Sequence, residues 1–114
     1  MRIEVKGRNF AVDDELRLRV EKRFEKVARQ VGQEARLTLE LTEDKNRSVR
    51  DACVAEVTLH LKGVTLRAGD ASDSMPHAIH LAADELTRQV KRHRDKRRGR
   101  RVSAKVDPRA AASP

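Results

Sequence analysis

Aromatic residues are nearly absent from this chain of 114 residues, which has two Phe and no Trp or Tyr. Many proteins that bind single-stranded nucleic acid stack its bases on aromatic side chains displayed on a sheet. Phe10 and Phe24 are the only candidates for such a role, and Phe24 falls in an apolar helical stripe. A base-stacking sheet is thus nearly excluded, and the core has to be built from Leu, Val, Ile and Ala.

Cysteine and long apolar runs are equally scarce. Cys53 is the single cysteine, so an internal disulfide is impossible, and its position among alternating apolar residues predicts an inert buried thiol. No signal-peptide pattern or apolar run of membrane-spanning length is visible. These features predict a cytoplasmic protein of one modest domain that does not insert into a membrane.

Patterns typical of catalysis are also missing. We find no Ser-His-Asp or Cys-His arrangement, no glycine-rich phosphate loop and no suggestive carboxylate pair. His77 and His80, with Asp84 one turn on, could share a metal ion, but exposed first-turn residues are the favoured interpretation. The sequence therefore predicts a protein that is not an enzyme, with no metal, cofactor or small-molecule substrate.

Positive charge is abundant and gathered in one stretch. Residues 88–101 (RQVKRHRDKRRGRR) contain nine Lys or Arg and one acid, Asp95, whereas the whole chain has 26 basic and 18 acidic residues. Without this stretch the chain would hold 17 of each sign, so the stretch accounts for the formal net charge of +8. Charge gathered in this way favours a polyanionic partner. Membrane binding would need bulky apolar neighbours, which residues 91–101 do not offer, so nucleic acid is the better hypothesis.

Hydrophobic periodicity predicts an α+β fold in the order β-α-β-β-β-α. Strands are predicted at residues 2–6, 35–42, 52–62 and 64–68, because apolar residues alternate there. Asp13 is a plausible N-cap for a first helix that Gly32 ends, and a second helix runs from Ser74 onward. Each strand has one apolar face, so we expect a two-layer sandwich with both helices on one face of a four-stranded sheet. A right-handed crossover makes the first two strands parallel, and the others form an antiparallel meander.

Both predicted helices carry a basic flank beside an apolar stripe. The first helix buries a stripe that includes Val20 and Val27, and the second buries Ile79, Leu86 and Val90. Glu21 and Glu25 are expected on a different side of the first helix from its basic flank. The basic residues of that flank are Arg19, Lys22, Arg23, Lys26 and Arg29. One such flank is commonly a solvated face, but two helices on one side of a sheet favour a shared anion-binding surface that reads phosphates and shape.

Several segments resemble the ribosome hibernation-promoting factor / ribosome-associated inhibitor family. They are IEVKGRN at residues 3–9, the DDELR opening of the first helix at 13–17, LKGVTLRA at 61–68 and, most specifically, DELTRQVKRHRDK at 84–96. The resemblance covers about residues 2–98 and implies that family's fold, which is like that of double-stranded-RNA-binding domains. It departs where Ser74-Met75-Pro76 replaces the family's usual Asp-Met-Tyr and where His80 replaces an acid.

The resemblance implies binding to the rRNA of the small ribosomal subunit, in the channel of mRNA and tRNA, and inhibition of translation. The rRNA-facing residues that it implies are Arg23, Lys26, Arg88, Lys91, Arg92, Arg94 and Lys96. The two basic flanks and the basic stretch add Arg19, Lys22, Arg29, Arg97 and Arg98 to the candidates.

Residues 1–98 are predicted to form the ribosome-binding domain, and residues 99–114 a basic then Ala/Ser/Pro-rich disordered tail or linker. Long members of the family add a dimerisation domain, so this chain is expected to be a monomer unless it is part of such a form. Two other functions stay open at this point. One is a general double-stranded RNA or DNA binder, and the other is a protein-interaction module whose basic helix docks on an acidic partner.

Overall fold

A computed structural model describes residues 1–44 and 51–105, with side chains of the last helix described as far as Lys96. Its four strands are β1 (Arg2–Arg8), β2 (Arg36–Glu43), β3 (Cys53–Leu61) and β4 (Val64–Ser72). They form one sheet in the order β1-β2-β3-β4, in which β1 is parallel to β2 and the other pairs are antiparallel. The predicted parallel crossover followed by a meander is confirmed.

Three helices cover one face of this sheet: α1 (Asp14–Arg23), α2 (Glu25–Gln30) and α3 (Met75–Lys105). The Asp13 side chain accepts a hydrogen bond from the backbone N–H of Leu16 at 2.8 Å and so caps α1, as its position predicts. Because α1 and α2 form the crossover from β1 to β2, they lie beside α3 in the same layer.

The core lies between the helices and the alternating inward residues of the strands. Leu37, Leu39 and Leu41 of β2 and Val57 and Leu59 of β3 are buried in it. The helices add the buried side chains of Val20, Phe24, Val27, Ile79, Ala82, Ala83, Leu86 and Val90. Both predicted apolar stripes therefore face the sheet, and the opposite sheet face carries exposed or half-buried polar residues.

The predicted single first helix is interrupted at Phe24, which has φ −97° and ψ 10°. This ψ departs from the α-helical value of about −42°, so α1 ends at Arg23 and α2 begins at Glu25. Phe24 is fully buried, and its N–H still donates to the carbonyl of Val20 at 3.0 Å. The apolar stripe thus continues across the break, with Val20, Phe24 and Val27 all buried.

Three elements are longer than the sequence predicts. β1 runs to Arg8 instead of residue 6. β4 runs to Ser72 instead of residue 68, because its second half pairs with β3 as far as Cys53 opposite Ser72. Helix α3 continues to Lys105, whereas the tail was predicted from residue 99. Arg100, Arg101 and Ala104 are good helix formers, and a single interior glycine costs only about 1 kcal/mol of helix stability. Residues 106–114, like the predicted polar loop at 45–50, lie outside the described residues, so the disordered tail stays a prediction.

Helix α3 also contacts the outer edge of the sheet. The Gln89 side-chain amide donates to the backbone carbonyl of Arg67 in the edge strand β4 at 2.7 Å. Val90 is the last buried residue among those of α3 with a described side chain. Beyond it the helix continues to Lys105, about 22 Å further along its axis at 1.5 Å per residue.

Candidate nucleic-acid interface

A groove of about 700 Å³ runs between the α1–α2 pair and α3 on the helical layer. Its first wall carries all five basic residues of the flank that the sequence predicts, namely Arg19, Lys22, Arg23, Lys26 and Arg29. Its second wall, from α3, consists of Pro76, Ile79, Ala83, Asp84 and Thr87. We call this feature the interhelical groove.

The cations of the first wall differ in their partners. Arg19 pairs with Glu15 at 3.1 Å and Arg29 with Glu25 at 3.9 Å, each one helical turn away. Within the part of the chain that the structure describes, no carboxylate lies within ion-pair distance of Lys22, Arg23 or Lys26. Exposed ion pairs of this kind contribute little free energy of stabilisation, so all five cations can bind an external anion. Lys22, Arg23 and Lys26 can do so without giving up an ion pair.

Glu25 lies in the groove, although the sequence predicts it on a different side of the helix from the basic residues. Glu25 is four residues before Arg29, so it lies one helical turn away on the same side and pairs with Arg29 at 3.9 Å on the first wall.

The basic residues of α3 differ in how close they lie to the groove. Arg88 and Lys91 follow Asp84 and Thr87 at four-residue steps, so they extend the groove wall toward the C-terminal end of the helix. Arg92 lies farther from the groove, and its guanidinium is 3.5 Å from Glu85, whose other oxygen is 3.9 Å from Nε of Arg88. These three residues and Lys96 are exposed, as a phosphate-binding role requires.

Arg94 is separated from the other candidates. It is half-buried in a cleft at the end of the sheet, beside Val31, Leu61 and Val90. Its Nε atom is buried and has no hydrogen-bond partner among the described residues. Its stem packs on the core at this end of the molecule, so its predicted rRNA contact is not part of the groove. Arg97 and Arg98 belong to α3, and their predicted roles stay predictions.

The two histidines considered as metal ligands have other partners. The Nδ1 atom of His77 is 2.8 Å from the buried Ser72 hydroxyl, and Nε2 of His80 is 3.3 Å from Oδ2 of Asp84. The two rings stack with their centroids 6.5 Å apart. Across residues 1–44 and 51–105, no group of three or more His, Cys, Asp or Glu is placed to hold a metal ion.

Cys53 is buried, and burial raises the pKa of its thiol, with Glu43 and Asp73 raising it further. The thiol is therefore kept protonated, which makes it a poor nucleophile. This agrees with the inert buried thiol that its alternating position predicts. None of the described helices is long and apolar enough to cross a membrane.

These features define a class of protein: a two-layer α+β domain whose helical layer is strongly basic. Within that class, the sequence model of the Sigma 54 modulation protein / S30EA ribosomal protein family matches residues 3–98. The chain belongs to this family, and the resemblance seen in its sequence motifs is confirmed.

Curated relatives carry the name of ribosome hibernation factors. The chain is 28% identical over 103 residues to the ribosome hibernation promotion factor of Picosynechococcus sp., which covers 90% of this chain and 53% of that protein. It is 29% identical over 96 residues to the ribosome hibernation promoting factor of Azotobacter vinelandii, covering 84% and 85% of the two chains. The chain thus spans about half the length of the Picosynechococcus protein and most of the Azotobacter one.

Solved structures confirm the fold. The Protein Y N-terminal domain of Thermus thermophilus aligns with a TM-score of 0.70 at 29% identity, over 82% of this chain and 99% of that one. A ribosomal subunit interface protein from Coxiella burnetii has the same TM-score at 18% identity, over 83% and 99% of the two chains. The second match bears on the fold alone.

Proposed function

We propose that this protein is a ribosome hibernation factor that binds rRNA of the small ribosomal subunit in the channel of mRNA and tRNA and inhibits translation. The main support is that the basic side chains are concentrated on the helical layer. Five line the interhelical groove, and Arg88 and Lys91 extend it along α3. The names of its relatives support the choice of the ribosome as the polyanion.

In the proposed mechanism the protein blocks the channel by occupying it and catalyses no reaction. Lys and Arg side chains neutralise rRNA phosphates and release the counterions that surround them, which supplies most of the affinity. A domain held in the channel by these contacts excludes mRNA and tRNA sterically. The protein in this proposal is a cytoplasmic monomer, is not an enzyme, and requires no cofactor.

Co-sedimentation with ribosomes tests the proposal. Wild-type protein should migrate with small subunits and whole ribosomes and be displaced by tRNA. Lys91→Glu combined with Arg92→Glu should abolish this binding, because two phosphate contacts are lost and two repulsions are added. Both side chains are exposed, so the variant should stay folded, with a stability change of about 0.5 kcal/mol or less per site.

The matched control is Arg36→Glu with Arg67→Glu, which changes the same charge on the open sheet face. We expect this control to bind ribosomes and to inhibit cell-free translation as the wild type does. If the control loses inhibition while the Lys91/Arg92 variant keeps it, the binding surface lies on the open sheet face and not on the helical layer. Equal affinity of the wild type for ribosomes and for an arbitrary RNA duplex would favour a general nucleic-acid binder instead.

A further inference from the structure

The two walls of the interhelical groove have opposite hydrogen-bonding character. The first wall presents ammonium and guanidinium groups, which only donate. Among its cations, Lys22, Arg23 and Lys26 have no acidic partner in the described residues. This wall suits a ligand group with several acceptor oxygens and negative charge, such as a phosphate.

The second wall presents acceptors. The carboxylate of Asp84 places Oδ2 toward His80 at 3.3 Å, and no donor of the described part of the chain reaches Oδ1. The Thr87 hydroxyl donates its proton to the Ala83 carbonyl at 2.8 Å, so toward the groove its oxygen can only accept. A phosphate next to Asp84 would be repelled, whereas an N–H donor would be bound.

Both walls also contribute apolar side chains. Val20 on the side of α1, and Pro76, Ile79 and Ala83 on the side of α3, also line the groove, and all of them except Pro76 are buried at its base. The groove volume of about 700 Å³ is within the range of about 300–1,000 Å³ that is usual for small-ligand sites. A ligand that fills it has an anionic end, a flat apolar middle and an edge with hydrogen-bond donors.

We propose that the interhelical groove takes a single unstacked nucleotide of the bound RNA and that Asp84 selects its base. The phosphate lies on Lys22, Arg23 and Lys26, the base covers the apolar residues, and the amino edge of the base donates to Asp84 and Thr87. Guanine fits best, because its N1–H and N2–H₂ groups point the same way and match the two oxygens of a carboxylate. Uracil fits worst, because carbonyl oxygens flank its only N–H. The proposal rests on the proposed RNA-binding function and adds a base preference to it.

The test uses the full chain and pentaribonucleotides of sequence UUXUU, in which X is G, C, A or U. Binding is followed by NMR, with the Ile79 methyl groups as reporters of groove occupancy. Since hydrogen bonds to a charged group are strong, X = G should bind about tenfold more tightly than X = U, and the Ile79 resonances should shift. Asp84→Asn should remove the preference, because an amide cannot accept from both guanine donors.

Asp95→Asn is the matched control, because it removes the same charge from an exposed acid of α3 outside the groove. It should raise the affinity for all four pentamers alike and keep the preference for G. Equal affinity for the four pentamers, or unshifted Ile79 methyl resonances, would overturn the inference. Guanosine monophosphate binding as tightly as UUGUU would overturn the assignment to RNA and indicate a free nucleotide.

These outcomes are separate from those of the ribosome experiment. If the wild type co-sediments with ribosomes but shows no base preference, only the groove assignment is wrong. If the wild type does not co-sediment with ribosomes, the proposed function is wrong, whatever the pentamers show.

Discussion

At the scale of single residues, glycine positions show where the backbone leaves no room for a side chain. A Cβ atom at Gly7 would lie 2.0 Å from the carbonyl oxygen of Phe10 and 3.0 Å from a methyl group of Val12. Gly7 lies in β1, and the segment that follows this strand toward α1 packs closely against it. The alternation of apolar residues predicts the strand only as far as residue 6, and it does not show how closely the Phe10 carbonyl approaches Gly7.

Gly7→Ala should therefore destabilise the protein, by about 1–3 kcal/mol as for other overpacked sites. The carbonyl belongs to the backbone, so relief requires the turn itself to move. The measurement is the free energy of unfolding from urea denaturation. Gly32→Ala is the control, since a Cβ there has no atom within 4 Å and no positive φ to oppose it. If Gly32→Ala lowers the free energy of unfolding as much as Gly7→Ala does, the steric explanation is contradicted.

At the scale of elements, the strands were predictable and the helix boundaries less so. Residues such as Leu37, Leu39 and Leu41 alternate with polar ones, and this period of two fixes which side of each strand is buried. The interruption at Phe24 could not be predicted, because Phe24 keeps its place in the apolar stripe while its backbone leaves the helix. Likewise, Gly69 and Asp70 disfavour a strand locally, and pairing with β3 overrides them.

The start of α1 offers a test of local stabilisation. Asp13→Ala removes the acceptor of the Leu16 N–H hydrogen bond and should cost about 1 kcal/mol of unfolding free energy. Thermal and urea denaturation would measure the change. Asp13→Ser keeps an N-cap acceptor and should retain most of the stability. If Ser and Ala destabilise equally, the cap hydrogen bond is not the source of the effect.

At the scale of the whole molecule, the sequence predicted which cations share a surface but not what faces them. The spacing of Lys22 and Lys26 placed them on one helical flank, and both line the interhelical groove. The opposite wall depends on how α3 lies beside α1 and α2. The spacing in the sequence therefore indicates Asp84 only as a partner of the histidines, although it also lines the groove.

Binding by many cations should depend strongly on salt. If about six to ten phosphates are contacted, the affinity for ribosomes should fall by about 10³–10⁵-fold between 50 and 200 mM salt. Sedimentation or fluorescence anisotropy over this range gives the slope. Lys22→Glu with Lys26→Glu should lower both the affinity and the slope, though by less than the Lys91/Arg92 variant. A flat salt response would indicate apolar docking and contradict the electrostatic mechanism.

The hydrogen bond from Gln89 to the Arg67 carbonyl also affects how molecules of this protein meet one another. An edge strand with free backbone groups can pair with a strand of another copy, which is a common start of aggregation. Here the edge carbonyl of Arg67 is already occupied by a side chain of α3 at 2.7 Å. The helix that carries much of the positive charge thus also blocks strand addition at this point of β4, so binding to a polyanion and solubility depend on the same element.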